Sequence, residues 1–294
     1  MNFALNSKIF SSCSDAFIEP QNPVEPGLFS LASTIIVILD RWMLQKFAGS
    51  VQQGFFGLSY QIGSVCFLFT SAMTGLITRE FSIAHAKNDL KEISRLFRRY
   101  VPLLYSLAAF FGCFPCVQAE KITYIFGGAI FAGASLPVAI MALYPIHQTF
   151  SQLDSSVFYA TGRTSLYRNI SLVLLILHLP LTYFLIAPSD MMGFGAGATG
   201  LAIKFVVLQF VGVNVQFWFN ARFLSLRFWR YAGHQVLCVS CLISAAIMVK
   251  FIIDGIPAFQ DEVILSFLVS GLVYSLGVVG LGFCLPIVFG LRNG

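Results

Sequence analysis

Long apolar stretches separated by short polar gaps fill the chain from about residue 28 onward. They run roughly over 28–47, 55–77, 100–117, 130–150, 166–186, 200–218, 236–253 and 263–289. Most approach the roughly 20 residues that cross a bilayer. Backbone groups in hydrocarbon must be satisfied internally, so only helices or a closed barrel qualify. The apolarity is continuous rather than alternating, which excludes the barrel. The pattern predicts an all-α polytopic membrane bundle of about eight transmembrane helices. Residues 1–26 are expected to form an N-terminal segment ahead of it. Three prolines between Glu19 and Pro26 predict an extended linker there, and no continuous apolar core of a signal peptide is visible in this segment.

Composition sharpens the reading. The 294 residues are 57% hydrophobic and 11% charged, against about 25% charged in soluble domains. Such a chain needs lipid as its solvent. Basic residues fall on alternate gaps. Thirteen of the eighteen, including Lys8, six between Arg79 and Arg99, Arg163, Arg168, Arg222, Arg227, Arg230 and Arg292, belong to one side. Lys46, Lys121 and Lys250 belong to the other, and Arg41 and Lys204 lie within apolar stretches. This asymmetry places both termini in the cytoplasm. Topology accounts for the net charge of +5, so no nucleic-acid partner is expected.

Three motifs carry less than they suggest. Cys113-Phe114-Pro115-Cys116 is formally a CxxC, but it lies in apolar sequence and reads as packing; the seven cysteines show no disulfide framework. Gly195-Ala196-Gly197-Ala198-Thr199-Gly200 matches GxGxxG without the strand that a dinucleotide site requires. It reads as close helix packing, aided by Gly193 and Gly197 four residues apart. Leu90, Ile93, Leu96 and Phe97 recur at helical spacing amid Lys and Arg. They suggest an amphipathic helix lying on the membrane surface, the alternative being a solvated connector.

Ionisable groups at membrane depth are functional candidates. Asp40 lies about 18 Å along a helix axis from Leu28. Its neighbour Arg41 cannot face the same way. Arg41 either joins a buried ion pair or binds an anionic headgroup, which a guanidinium grips at two points. Lys204 either snorkels to the interface or lines a cavity. Gln209, Gln216 and Asn220 fall within about 40° of one another, well away from Lys204. They face either water or neighbouring helices. Gln148, Gln152, Ser155 and Tyr159 share a second face, flanked by His147 and Asp154, on a stretch that Pro137 and Pro145 interrupt. His178, two residues before Pro180, reads as a packed group before a proton carrier. Paired carboxylates or a nucleophile with its base, which hydrolysis needs, are absent from this pattern, and the outer loops are short. Transport is expected rather than catalysis, with no cofactor and no metal.

Several motifs together resemble bacterial polysaccharide (O-antigen type) flippases. They are Leu39-Asp40-Arg41-Trp42-Met43-Leu44-Gln45 with Gly54-Phe55-Phe56-Gly57-Leu58, then His85-Ala86-Lys87-Asn88-Asp89-Leu90, then Phe126-Gly127-Gly128. Gln148, Tyr159-Ala160-Thr161-Gly162-Arg163-Thr164 and the Gly195–Ala202 run follow in order. The resemblance covers about residues 28–224. It implies membership of the multidrug, oligosaccharide-lipid and polysaccharide exporter superfamily, in the bacterial cytoplasmic membrane. The implied activity is flipping of undecaprenyl-pyrophosphate-linked oligosaccharide. Arg41, Lys204, Asp40, Gln148, Gln152, Gln209 and Gln216 are the candidate substrate-binding residues. Family members have two lobes of twelve to fourteen helices in all. This chain resembles the second lobe (27–224) plus two further helices (233–291), so a partner lobe is implied, either a second copy or a missing N-terminal half. A multidrug exporter of the same superfamily and a non-functional half-transporter fragment are the alternatives.

Overall fold

Helix is the only regular structure among the described residues of this computed structural model, which are 24–259, 262–286 and 289–290. The helices are α1 (Val24–Ala86), α2 (Leu90–Val117), α3 (Ala119–Gly127), α4 (Ser135–Met141), α5 (Tyr144–Ala160), α6 (Thr164–Ile186), α7 (Gly197–Phe223), α8 (Phe228–Asp254) and α9 (Val263–Cys284). A 3₁₀ turn, Ala129–Ala134, leads into α4. Two compact units meet in sequence at Leu39 and Asp40, and the packing below lies within the unit that begins at Asp40.

Among the described residues, six helical segments are long and apolar enough to cross a membrane: Leu90–Val117, Ala129–Ala160, Thr164–Ile186, Gly197–Phe223, Phe228–Asp254 and Val263–Cys284. They coincide with the last six predicted stretches. The first two fall in α1, where the predicted gap shrinks to one non-helical residue, Gly49 (φ 85, ψ 173). That φ is open to glycine and strained for other residues. A further bend of 51° separates Leu68 from Met73. The expected linker, with Lys8, lies outside the described residues up to 23, and Arg292 lies outside them too. Val24–Pro26 already belong to α1, in a first turn where the missing proline N–H is no loss.

The basic stretch before the third predicted helix differs from expectation. No separate surface helix forms at Leu90–Phe97; these residues are the first turns of α2. Ile93 and Phe97 are fully buried. Phe97 stacks on Phe217 at 5.7 Å and meets Tyr231 at 5.7 Å. An apolar stripe amid charges fits a lipid surface or a protein core equally, and here α7 and α8 supply a core.

Side chains are distributed as lipid solvation requires. Ile176, Phe251 and Phe283 are exposed, whereas Thr70, Asp154, Lys204, Asn220 and Ser270 are buried. Polar groups act as glue between helices. Thr70, Thr74 and Thr78, four residues apart on α1, meet Thr149, Gln152 and Ser156 on α5 at 2.6, 3.2 and 2.7 Å. Thr149 is fully buried. Thr70→Val leaves its hydroxyl without this partner, and the expected loss is about 0.5–1.5 kcal/mol. Thr70→Val/Thr149→Val should lose less than the two single changes together. Unfolding in detergent measures both, and strict additivity would dissolve the seam as an energetic unit.

Pro145 breaks the fourth span as expected, whereas Pro137 lies within α4. α4 ends at Met141, and α5 begins one residue before Pro145. Proline has no N–H for the carbonyl four residues back. Close helix packing covers the carbonyls at the break: a Cβ on Gly63 would lie 2.9 Å from the oxygen of Met141, which Pro145 frees, and one on Gly112 2.6 Å from the Ala142 oxygen.

The two ends of the bundle differ in charge. At one end Lys121 bonds Asp254 at 2.5 Å and Ser266 at 2.8 Å, and Lys250 bonds Glu120 at 3.0 Å. Two of the three lysines of the sparse side are therefore matched by acids, which deepens the asymmetry seen in the sequence. At the other end Ser94 bonds the Leu224 carbonyl at 3.0 Å, drawing the start of α2 to the end of α7.

Candidate functional site

Three helices converge on one buried charge pair. Asp40 of α1 and Lys204 of α7 are each 1% exposed. Lys204 Nζ donates to Asp40 Oδ2 and, at 2.9 Å, to Thr182 Oγ1 of α6. The Thr182 hydroxyl lies 2.6 Å from Asp40 Oδ1 and 2.8 Å from the His178 carbonyl, so its one proton serves either acceptor. His178 Nδ1 stands 4.0 Å from Asp40 Oδ2. The Phe205 ring lies 4.7 Å below the ammonium and joins Phe56, Tyr60 and Tyr144 in an aromatic cluster. Excluding water makes this pair strong and makes either partner costly to leave alone.

The mouth of α7 is fixed by its glycines. Gly197 takes φ 53, and a Cβ there would lie 2.7 Å from Gln52 Oε1. That oxygen accepts from the Ala198 N–H at 2.9 Å, meeting one of the donors a helix start leaves open. The GxGxxG letters thus serve helix packing, and no strand precedes them among the described residues.

Arg41 diverges from Asp40, as adjacent helical residues must. It is exposed, its guanidinium carbon lies 5.5 Å from the Tyr60 ring centre, and among the described residues no acid pairs with it.

No family model, curated protein or solved structure matches this chain. The resemblance to polysaccharide flippases therefore rests on the sequence motifs.

Of the remaining candidates, Gln152 and Gln216 lie on two other seams, and Gln148 bonds within its own helix. Gln152 accepts from Thr74 in the α1–α5 seam, and Gln148 accepts from Tyr144 at 3.2 Å. On α7 the predicted stripe turns toward α5. Gln216 accepts from Ser151 at 3.4 Å, and Asn220 donates to the Asp154 carbonyl and carboxylate at 2.9 Å each. Of the two readings left open, interhelical bonding holds for Gln216 and Asn220. Gln209 is half-buried. Arg163, in the turn after α5, donates to Asn220 at 3.3 Å and lies over Phe223 at 4.3 Å. Burial lowers its pKa, and the Asp154 charge opposes that shift. Lys204 neither snorkels nor stands open; Asp40 takes up its charge.

Of the seven candidates, the structure joins only Asp40 and Lys204. Thr182 completes their site and was not singled out in the sequence, where it is one hydroxyl in an apolar helix. The Thr70–Thr74–Thr78 seam was missed too, although its spacing of four was there to be read. His147 packs edge-on against Phe210 at 5.0 Å. Among the described residues no group of three His, Cys, Asp or Glu could hold a metal.

Proposed function

We propose that the chain is a transport protein that flips an undecaprenyl-pyrophosphate-linked oligosaccharide across the bacterial cytoplasmic membrane for surface polysaccharide synthesis. The observation that carries this reading is Arg41, an exposed guanidinium in an apolar helix with an aromatic ring beside it and no acid paired to it among the described residues. A charge at such depth needs an anionic partner, and a pyrophosphate offers paired oxygens to a planar fork. The ordered motifs quoted above supply the glycan-lipid class.

Asp40 and Lys204 then hold α1 to α6 and α7, while the half-buried amides of Gln148, Gln152 and Gln209 offer hydrogen bonds to sugar hydroxyls. The Thr70–Thr78 seam and the break before Pro145 are the places where helices would separate as access alternates. Substrate drives that change only through unequal affinity for the two states. A second lobe, from another copy or from a separate chain, completes the cavity. Drug export is less well supported: Asp40 faces Lys204 and Asp154 faces Asn220, so neither acid is offered to a cationic drug.

Complementation tests the reading. The chain is expressed alone, and with a candidate first lobe, in bacteria lacking their own flippase, and surface polysaccharide is scored. Arg41→Ala should cut rescue about tenfold or more, the scale of one lost charged hydrogen bond, at unchanged membrane levels. Full rescue by Arg41→Ala would remove the residue on which the proposal stands.

A further inference from the structure

We infer that the basic end of the bundle holds a binding site for the phosphate headgroup of an anionic membrane lipid, in the cleft between the start of α2 and the start of α8. This cleft, of about 410 Å³, is lined by Arg98, Arg227, Arg230, Tyr231, His234 and Leu237, among others. None of the seven residues considered for transport lines it, so the site stands or falls independently of flipping.

Three observations define the ligand. First, three guanidiniums from two segments border one concavity, and a fixed fork suits phosphate oxygens better than a diffuse positive surface does. Arg98 donates to the Ser94 carbonyl at 3.2 Å, which anchors its side chain on α2. Secondly, α8 starts at the cleft. Arg227 occupies its N-cap position, and no side chain caps the first turn. A 27-residue helix therefore directs open amides and the positive end of its dipole to the same place. Thirdly, the wall is not polar throughout. Leu237 lines the cleft and is half-exposed, and Trp229 and Val236, which do not line it, are exposed on the same helix. Tryptophan favours the membrane interface. A free phosphate would leave that apolar edge uncovered, whereas a lipid would place its headgroup on the arginines and an acyl chain along Leu237.

The test uses the full chain in detergent, titrated separately with phosphatidylglycerol and phosphatidylcholine, with bound lipid counted by native mass spectrometry. The parent should retain phosphatidylglycerol in preference. R98Q/R227Q/R230Q should lose that retention about tenfold or more, given roughly 1 kcal/mol per basic residue at such a surface. K87Q/K91Q/R222Q removes the same charge away from the cleft and should keep it. Equal retention by the parent and the cleft variant overturns the site, and so does an equal loss in the control. A parent that binds inorganic phosphate and releases the lipid to it overturns the lipid assignment. Should the cleft variant aggregate, a diazirine phosphatidylglycerol crosslinked to the parent decides the matter. Adducts confined to 98–103 and 226–237 support the site, and adducts spread along the lipid-facing helices overturn it.

Discussion

Lys204→Met is expected to lower stability by roughly 3–5 kcal/mol, the usual penalty for stranding one member of a buried ion pair. Asp40 would keep Thr182 as its only donor in the site, with His178 Nδ1 4.0 Å away. The double variant Asp40→Leu/Lys204→Met should recover most of that loss, because well-packed apolar replacements of a buried pair are often neutral or better. Thr182 survives the exchange, since the His178 carbonyl lies 2.8 Å from its hydroxyl. Thermal unfolding of the purified chain in detergent separates the three proteins. A single variant as stable as the parent would show that the pair does not organise α1, α6 and α7. The double variant also sorts roles in complementation. If it folds but does not flip, the charges act in the transport cycle rather than in the fold alone.

This pair marks the limit of what could be read from the sequence. Apolar length located six of the spans, though several helices extend past the predicted stretches, as α2 does by starting at Leu90, and Pro145 located the break in the fourth predicted helix, because both signals are local. That Asp40 and Arg41 diverge also followed from helix geometry alone. The partner of Asp40 did not, because Lys204 lies 164 residues away and nothing local pairs them. Ile93 and Phe97 show a different limit. Their spacing gave the helix correctly and its surroundings wrongly, since periodicity records an apolar face but not whether lipid or Phe217 will cover it. The boundary between the first two predicted helices shrank to Gly49 because a single residue at positive φ suffices to redirect a helical run. The basic cleft between α2 and α8 lay hidden for another reason. Its arginines read as topology signals, and only the approach of Arg98 to Arg230 gives them a shared concavity.

Gly112→Val should cost about 3 kcal/mol, the upper end of the usual range for overpacking, whereas Gly57→Ala should be neutral or gain up to about 1 kcal/mol in helix propensity. Both glycines sit inside helices, so propensity alone predicts the same sign for alanine at each. Their surroundings differ. A Cβ on Gly57 meets nothing within 4 Å. One on Gly112 would lie 2.6 Å from the Ala142 oxygen and 3.0 Å from the Ile146 side chain, against the backbone where the fourth span is broken. A carbonyl at the break cannot retreat into lipid without losing what little hydrogen bonding it has, so the neighbouring helix must stay thin. Gly112→Ala, which adds one carbon where valine adds three, should fall between the two, and the ordering Gly57→Ala, Gly112→Ala, Gly112→Val in melting temperature is the measurement. Were Gly112→Ala to match or exceed the parent, α2 would have room to move away from the break, and the contact would be loose packing rather than a constraint.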